Sequence, residues 1–151
     1  MDRQKQLIKH DPDNGQWGDC YRTCVAIIMG MPAAEVPHFC DGGGHDGAKE
    51  SQDWLRERGL SHVTIYYTAE NDLEKILSTL GHYSPEVPMI VTGMGKRGVN
   101  HSVVAVDGQI FCDPATGKAD QDALTGPAKG KDGEFWWVEF IAKLPSTQAA
   151  A

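Results

Sequence analysis

The chain has 151 residues and a formal net charge of −7, with 14 Lys and Arg residues against 21 Asp and Glu residues. This acidic balance argues against nucleic-acid binding, which needs a basic surface. No apolar run approaches the roughly 20 residues of a membrane span, so we expect neither a nucleic-acid nor a membrane partner. The length and composition suit one domain over residues 1–151, with a core over about 14–144 and flexible termini.

The first ten residues lack the apolar segment of a secretory signal, so we expect a cytoplasmic protein. In a reducing compartment the cysteines are expected to be free thiols: Cys20, Cys24, Cys40 and Cys112. Zinc ligands could be drawn from Cys20 with Cys24, or from His38 and Cys40 with His45. Neither spacing matches a standard structural zinc site, so we predict no metal and no cofactor.

The first sharp structural signal follows a loop rich in turn-forming residues, Asp11 to Gly15. Apolar residues then recur at helical spacing from Cys20, which predicts a helix with Asp19 as its N-cap, ended by Gly30. The second half of this helix is apolar nearly all round, as in a helix packed at the centre of a domain.

Alternation, periodicity and glycine positions predict the remaining elements. They are a loop over 37–47, a helix over 49–58, a strand over 62–67, a helix over 70–80 ended by Gly81, a strand over 87–92, a glycine-rich loop over 93–98, a hairpin of strands 100–106 and 109–112, a strand over 134–142, and a frayed tail after Pro145. Helices followed by antiparallel strands predict an α+β fold, with a central N-terminal helix packed on an antiparallel sheet.

A cysteine in the first turn of a helix lies at the positive end of the helix dipole, beside free backbone N–H groups, and both favour a thiolate. Cys20 has this position and is the candidate nucleophile. Gln16, four residues upstream, is the candidate side-chain donor to a developing oxyanion, with the backbone N–H of Cys20 as a second donor. Taken alone, Cys20 could equally be the first residue of a buried stripe.

The predicted hairpin carries His101 near its start and Asp113 after its second strand. A three-residue turn with a bulge at Gly108 would pair His101 with Asp113 on one face, whereas a two-residue turn would separate them. In the bulged register the carboxylate can hold the imidazole, whose other nitrogen takes the thiol proton. We therefore predict the bulged register. Trp17, Lys96, Arg97 and Asn100 are predicted to lie around the substrate.

The order of Gln, Cys at a helix start, His on a strand and Asp before Pro resembles papain-like cysteine peptidases, and more closely their small C39-like branch, whose nucleophile follows an Asp. Four segments are also similar to a group of uncharacterised phage and bacterial proteins: Gly18-Asp-Cys-Tyr-Arg-Thr-Cys-Val-Ala26, Glu35-Val-Pro-His-Phe39, Asn100-His-Ser-Val-Val104 and Cys112-Asp-Pro114. The likeness covers about Gln16 to Gly117 in local motifs. Secreted papains have Cys-Gly-Ser-Cys-Trp around the nucleophile, whereas Tyr21 and Arg22 follow Cys20 here.

The resemblance implies a papain-like core with Cys20 as nucleophile, His101 as base, Asp113 as orienting residue and Gln16 as oxyanion donor. It implies hydrolysis of a peptide, isopeptide or related amide bond in a peptide or protein substrate. For a phage-encoded chain, that substrate would include host proteins and the location would be the host cytoplasm. Acyl transfer or deamidation by the same residues remains open, as does a non-catalytic binding or inhibitory protein on the same scaffold.

Overall fold

The computed structural model describes residues 1–44 and 46–146, so His45 and most of the tail expected to fray lie outside the described part. Within it the helices are α1 (Cys20–Met29), α2 (Gly47–Arg56) and α3 (Leu73–Tyr83). The strands are β1 (Leu60–Thr68), β2 (Met89–Gly95), β3 (Asn100–Val106), β4 (Gln109–Cys112), β5 (Leu124–Gly130) and β6 (Gly133–Lys143).

These strands form one antiparallel sheet in the order β1-β6-β5-β2-β3-β4, and β6 also pairs directly with β2. One face of the sheet packs against α1 through Ile90 and Val104. The other face packs against α3 through Val91 and Val103. The expected α+β class is confirmed, because helices cover both faces of a wholly antiparallel sheet. In the described ranges no helix is both long and apolar enough to span a bilayer.

Helix α1 begins at Cys20 and ends before Gly30, as the sequence predicts. Asp19 occupies the N-cap position, but its side chain does not cap the helix. Its buried carboxylate instead accepts a hydrogen bond from the Ile8 backbone N–H at 2.8 Å and from Arg22 Nε at 2.8 Å. The predicted N-cap position of Asp19 is therefore confirmed, but its carboxylate joins the N-terminal segment to the start of α1 and does not cap the helix.

The N-terminal segment, residues 1–10, lies against the body of the protein. The Gln6 backbone N–H donates to the Pro114 carbonyl at 2.8 Å, just after β4. Gln4 Nε2 donates to the Met31 carbonyl at 2.8 Å, beyond the end of α1. This segment, expected to be a flexible terminus outside the core, thus makes specific contacts with the residues that follow α1 and β4.

Helix α3 continues past Gly81 to Tyr83, so the predicted helix end is wrong. Gly81 is needed instead for close packing against the turn of the β3–β4 hairpin. A Cβ atom at Gly81 would lie 2.3 Å from the backbone nitrogen of Gly108. Glycine stands here because the two backbones touch, and a sequence pattern cannot distinguish that reason from helix termination.

Two strands differ from expectation. β2 extends to Gly95, so the first half of the predicted glycine-rich loop is strand. β5 was not predicted because Gly126, Pro127 and Gly130 within it are typical of loops. Both departures occur where β2 and β5 pair with each other, with Gly93 opposite Pro127.

The β3–β4 hairpin has a bulge, but not at Gly108. Asp107 and Gly108 form a two-residue turn with φ of 52° and 81°, and Val106 pairs with Gln109. The register then shifts, since Ala105 pairs with Ile110 but Val104 pairs with Cys112, which leaves Phe111 as the extra residue. The predicted three-residue turn is therefore wrong.

The bulge at Phe111 nevertheless has the consequence that was expected of the turn. With Val104 opposite Cys112, alternation directs His101 and Asp113 to the same side of the hairpin. The carbonyl of Phe111 accepts a hydrogen bond from Arg3 Nε at 2.8 Å, and the Arg3 guanidinium lies 4.9 Å from the Phe111 ring centroid. The N-terminal segment thus supports the bulge that brings the two residues together.

Candidate active site

Cys20, the first residue of α1, is half-buried and lines a cavity of about 690 Å³. The first backbone N–H of α1 that donates to an i−4 carbonyl is that of Thr23, which bonds to the Asp19 carbonyl at 3.1 Å. The N–H groups of Cys20, Tyr21 and Arg22 precede it in the first turn, where they lack an i−4 acceptor in the helix. The thiol therefore combines access from the cavity with a positive local field.

His101 joins Cys20 to Asp113. Its Nε2 lies 2.6 Å from Asp113 Oδ1, and its side chain also interacts with that of Cys20, which helps to raise its pKa. With Nε2 engaged by the carboxylate, Nδ1 is the nitrogen left for the thiol. The cavity wall includes Cys20, and it also includes Asn100 and Ser102, the two neighbours of His101 on β3. Of Cys20, His101 and Asp113, the residue that lines the cavity is therefore Cys20.

The electrostatics of this group favour a charged imidazole. Burial lowers the pKa of His101, but hydrogen bonds to Asp113 and Cys20 outweigh it and raise the pKa to about 9. For the Asp113 carboxyl, burial raises the pKa, but the hydrogen bonds from His101 and from the Ala115 N–H outweigh burial, so the pKa is lowered overall. The Ala115 N–H donates to Asp113 Oδ1 at 2.8 Å. At neutral pH the pair is therefore an imidazolium beside a carboxylate.

The imidazole has room because β2 carries a glycine beside it. A Cβ atom at Gly95 would lie 2.9 Å from His101 Cβ. The first half of the segment predicted to be a glycine-rich loop therefore leaves space for the His101 side chain.

The cavity floor is a row of side chains that crosses four strands. Ser102 on β3 pairs with Thr92 on β2, Thr92 pairs with Trp137 on β6, and Trp137 pairs with Tyr66 on β1. All four residues line the cavity. Three strand spacings separate the ends of the row, about 14 Å at about 4.8 Å each. A ligand lying along this row would run from the Cys20 end towards an aromatic pair, Trp137 and Tyr66, whose ring centroids are 5.9 Å apart.

A second polar cluster borders the cavity beside Tyr21. The Tyr21 hydroxyl donates to Glu139 Oε2 at 2.8 Å and lies 3.2 Å from His62 Nδ1. His62 Nε2 lies 3.0 Å from the hydroxyl of buried Ser51. Burial and the Glu139 carboxylate raise the pKa of the Tyr21 phenol, which therefore stays protonated. Sequence reasoning missed this cluster, although Tyr21 directly follows the candidate nucleophile Cys20 and Glu139 interrupts an apolar strand.

Three predicted site residues lie elsewhere. Gln16 is exposed, its Nε2 donates to the Lys9 carbonyl at 2.7 Å, and it is not part of the cavity wall. Lys96 is paired with Asp120 at 2.6 Å. Arg97 donates to the His10 carbonyl at 3.0 Å, and like Lys96 it lies outside the cavity wall. This geometry does not support Gln16 as an oxyanion donor, nor Lys96 and Arg97 as substrate ligands.

Trp17 and Asn100, the other two residues predicted to lie around the substrate, line the cavity. The Asn100 amide is engaged with the Lys129 backbone, at 2.8 and 2.9 Å, so it links the start of β3 to β5. Trp17 packs edge to face on His10, with ring centroids 5.2 Å apart. His10, to which sequence reasoning assigned no role, also lines the cavity and accepts a hydrogen bond from the Gly18 N–H at Nδ1, at 3.2 Å.

The other cysteines differ from Cys20 in environment. Burial raises the pKa of Cys24, and likewise that of Cys112. Cys40 is an exposed residue that lines the cavity, and partial desolvation of its thiol raises the pKa to about 11. Among the described residues, no group of three or more His, Cys, Asp or Glu side chains is arranged to hold a metal ion. His38 instead contacts the Trp17 carbonyl, at 3.0 Å from Nε2.

Comparison of the chain with protein-family models, with curated proteins and with solved structures finds no match.

Proposed function

We propose that this chain is a cysteine hydrolase with a papain-like core, which cleaves an amide bond through an acyl-enzyme on Cys20. The observation that carries the proposal is that His101 is hydrogen-bonded to Asp113 and interacts with Cys20, whose thiol lies on the wall of a 690 Å³ cavity. The order of roles along this chain is nucleophile, base and orienting residue, as in other acyl-transfer sites.

In the proposed reaction, the Cys20 thiolate attacks a substrate carbonyl carbon while His101 holds the thiol proton. The oxyanion of the tetrahedral intermediate accepts a hydrogen bond from the first-turn N–H of Cys20. When the carbon–nitrogen bond breaks, the imidazolium gives its proton to the leaving amine. Water then attacks the thioester with His101 as general base, which releases the acid and restores the thiol.

Alkylation by iodoacetamide near pH 6, followed by mass spectrometry of the native protein, tests the activated thiol. Cys20 should react first, because the neighbouring imidazolium stabilises a thiolate there. Cys40 is the internal comparison: it lines the same cavity, but with a pKa of about 11 it should stay unmodified. Replacement of His101 by Ala should slow the reaction at Cys20 at least tenfold. Equal rates at Cys20 and Cys40, or no effect of the His101 variant, would contradict the proposal.

A further inference from the structure

The Glu139 carboxylate has one oxygen engaged and one open. Oε2 accepts a hydrogen bond from the Tyr21 hydroxyl at 2.8 Å and lies 3.6 Å from His62 Nδ1. Within the described residues, Oε1 has no hydrogen-bond partner, and it is not among the buried unpaired atoms. Since Glu139 lines the cavity, Oε1 is accessible from it.

An acidic side chain at this position needs an explanation beyond packing. Glu139 lies in the sheet row next to the cavity floor, opposite Ile90 on β2 and Thr64 on β1. Its side chain is only 16% exposed, and in the described chain its one possible ionic partner is His62. A poorly hydrated carboxylate without a Lys or Arg partner is costly. A cation supplied by a ligand would remove that cost.

The surroundings of Glu139 also suit a cation. Glu139 is the one acidic residue in the wall of the cavity as far as the structure describes it. The wall adds the ring of Trp137, two residues away on the same side of β6, and that of Tyr66, which pairs with Trp137. Aromatic faces and a carboxylate together recognise guanidinium and ammonium groups. The net charge of −7 attracts cations to the whole molecule.

We infer that Glu139 forms a subsite for a cationic group of the substrate, such as a guanidinium or ammonium side chain near the bond to be cleaved. Tyr21 connects this subsite to the nucleophile, because it follows Cys20 in α1 and its hydroxyl holds Glu139 Oε2. The inference deepens the proposed function, on which it rests for the role of Cys20.

Matched alkylating reagents test this inference at the thiol. An iodoacetamide carrying a guanidinoalkyl chain is compared, over a series of chain lengths, with its neutral ureidoalkyl isostere. At the best length we expect the guanidino reagent to modify Cys20 about tenfold faster, equivalent to about 1.4 kcal/mol. In Glu139→Gln, the ratio of the guanidino rate to the ureido rate should be close to one. Glu134→Gln, which removes the same charge from an exposed position on β6, should leave the ratio unchanged. A ratio near one in the native protein, or an equal loss in both variants, would overturn the inference.

A binding measurement keeps the subsite testable if Cys20 proves unreactive. Butylguanidinium is titrated into the Cys20→Ala variant, and the indole N–H of Trp137 is followed by NMR. We expect a saturable shift that disappears when Glu139→Gln is added and persists with Glu134→Gln. Absence of that shift would refute the subsite whatever the thiol does. A clear shift together with slow alkylation of Cys20 would instead count against the proposed hydrolase and leave the subsite standing.

Discussion

His101 Nε2 lies 2.6 Å from Asp113 Oδ1, although the two residues are not a cross-strand pair. The contact exists because Phe111 bulges out of β4 and shifts the register by one residue. Asp113 lies beyond the end of β4, where it also accepts the N–H of Ala115. One inserted residue therefore decides whether the carboxylate and the imidazole meet.

Replacement of Asp113 by Asn should lower the pKa of His101 from about 9 towards the ordinary 6.5, because the carboxylate contact is one of the causes that raise it. NMR titration of the imidazole measures this directly. An unchanged titration would show that Asp113 does not control the pKa of His101.

The raised pKa of His101 in the native protein also makes stability depend on pH. Since the folded pKa of His101 lies above its unfolded value, the associated stability is present below about pH 6.5 and is lost as pH rises through about 9. At about 1.4 kcal/mol per unit, the shift corresponds to a change of the order of 3 kcal/mol. The free energy of unfolding in urea is measured at pH 6 and at pH 10. The difference between the two values should be smaller in Asp113→Asn than in the native protein. Exposed His82→Gln is the control and should leave the difference unchanged.

Gly95→Ala should impair the site while the fold survives. The new Cβ would lie 2.9 Å from His101 Cβ, so the His101 side chain must shift from its present position. We expect alkylation of Cys20 near pH 6 to slow at least tenfold. Gly126→Ala on neighbouring β5 is a matched control, because nothing lies within 4 Å of a Cβ at that position. Equal rates in the two variants would show that close packing at Gly95 does not position His101.

Gly81→Ala should destabilise the protein although alanine favours helix. Helix propensity alone predicts a gain of about 1 kcal/mol. The new methyl would lie 2.3 Å from the Gly108 backbone nitrogen, which forces α3 away from the hairpin. We expect a loss of about 2 kcal/mol or more in urea unfolding. Thr79→Ala, at an exposed position of the same helix, should be neutral or stabilising. A gain in Gly81→Ala would contradict the described packing.

Asp19→Asn should loosen the N-terminal segment. The substitution removes the charge that pairs with Arg22 and replaces a carboxylate oxygen that accepts backbone N–H groups. Breaking one side of a buried ion pair costs about 3–5 kcal/mol. Urea unfolding should show a loss of that order, and amide exchange should increase at Ile8. Asp13→Asn, at an exposed position nearby, should leave both unchanged.

The sequence by itself was sufficient for the α+β class, for α1 beginning at Cys20, and for β3 and β4. Those features depend on local signals: helical spacing of apolar residues, strand alternation, and Asp107-Gly108 at a turn. Local signals failed at Gly81 and within β5. There the residue type reflects contact with a distant backbone or the pairing of strands that lie far apart in sequence.

For the candidate site, the sequence by itself determined which residues have suitable chemistry: Cys20, His101 and Asp113. Only the tertiary structure decided that they meet, since this depends on a bulge at Phe111 that no turn motif announces. The tertiary structure also pairs Gln16, Lys96 and Arg97 with groups outside the cavity wall. It brings Glu139 to Tyr21, which lies 118 positions away in the sequence. The physical reason is that side-chain direction in a sheet reverses with each residue, so a single shift in register reassigns every contact.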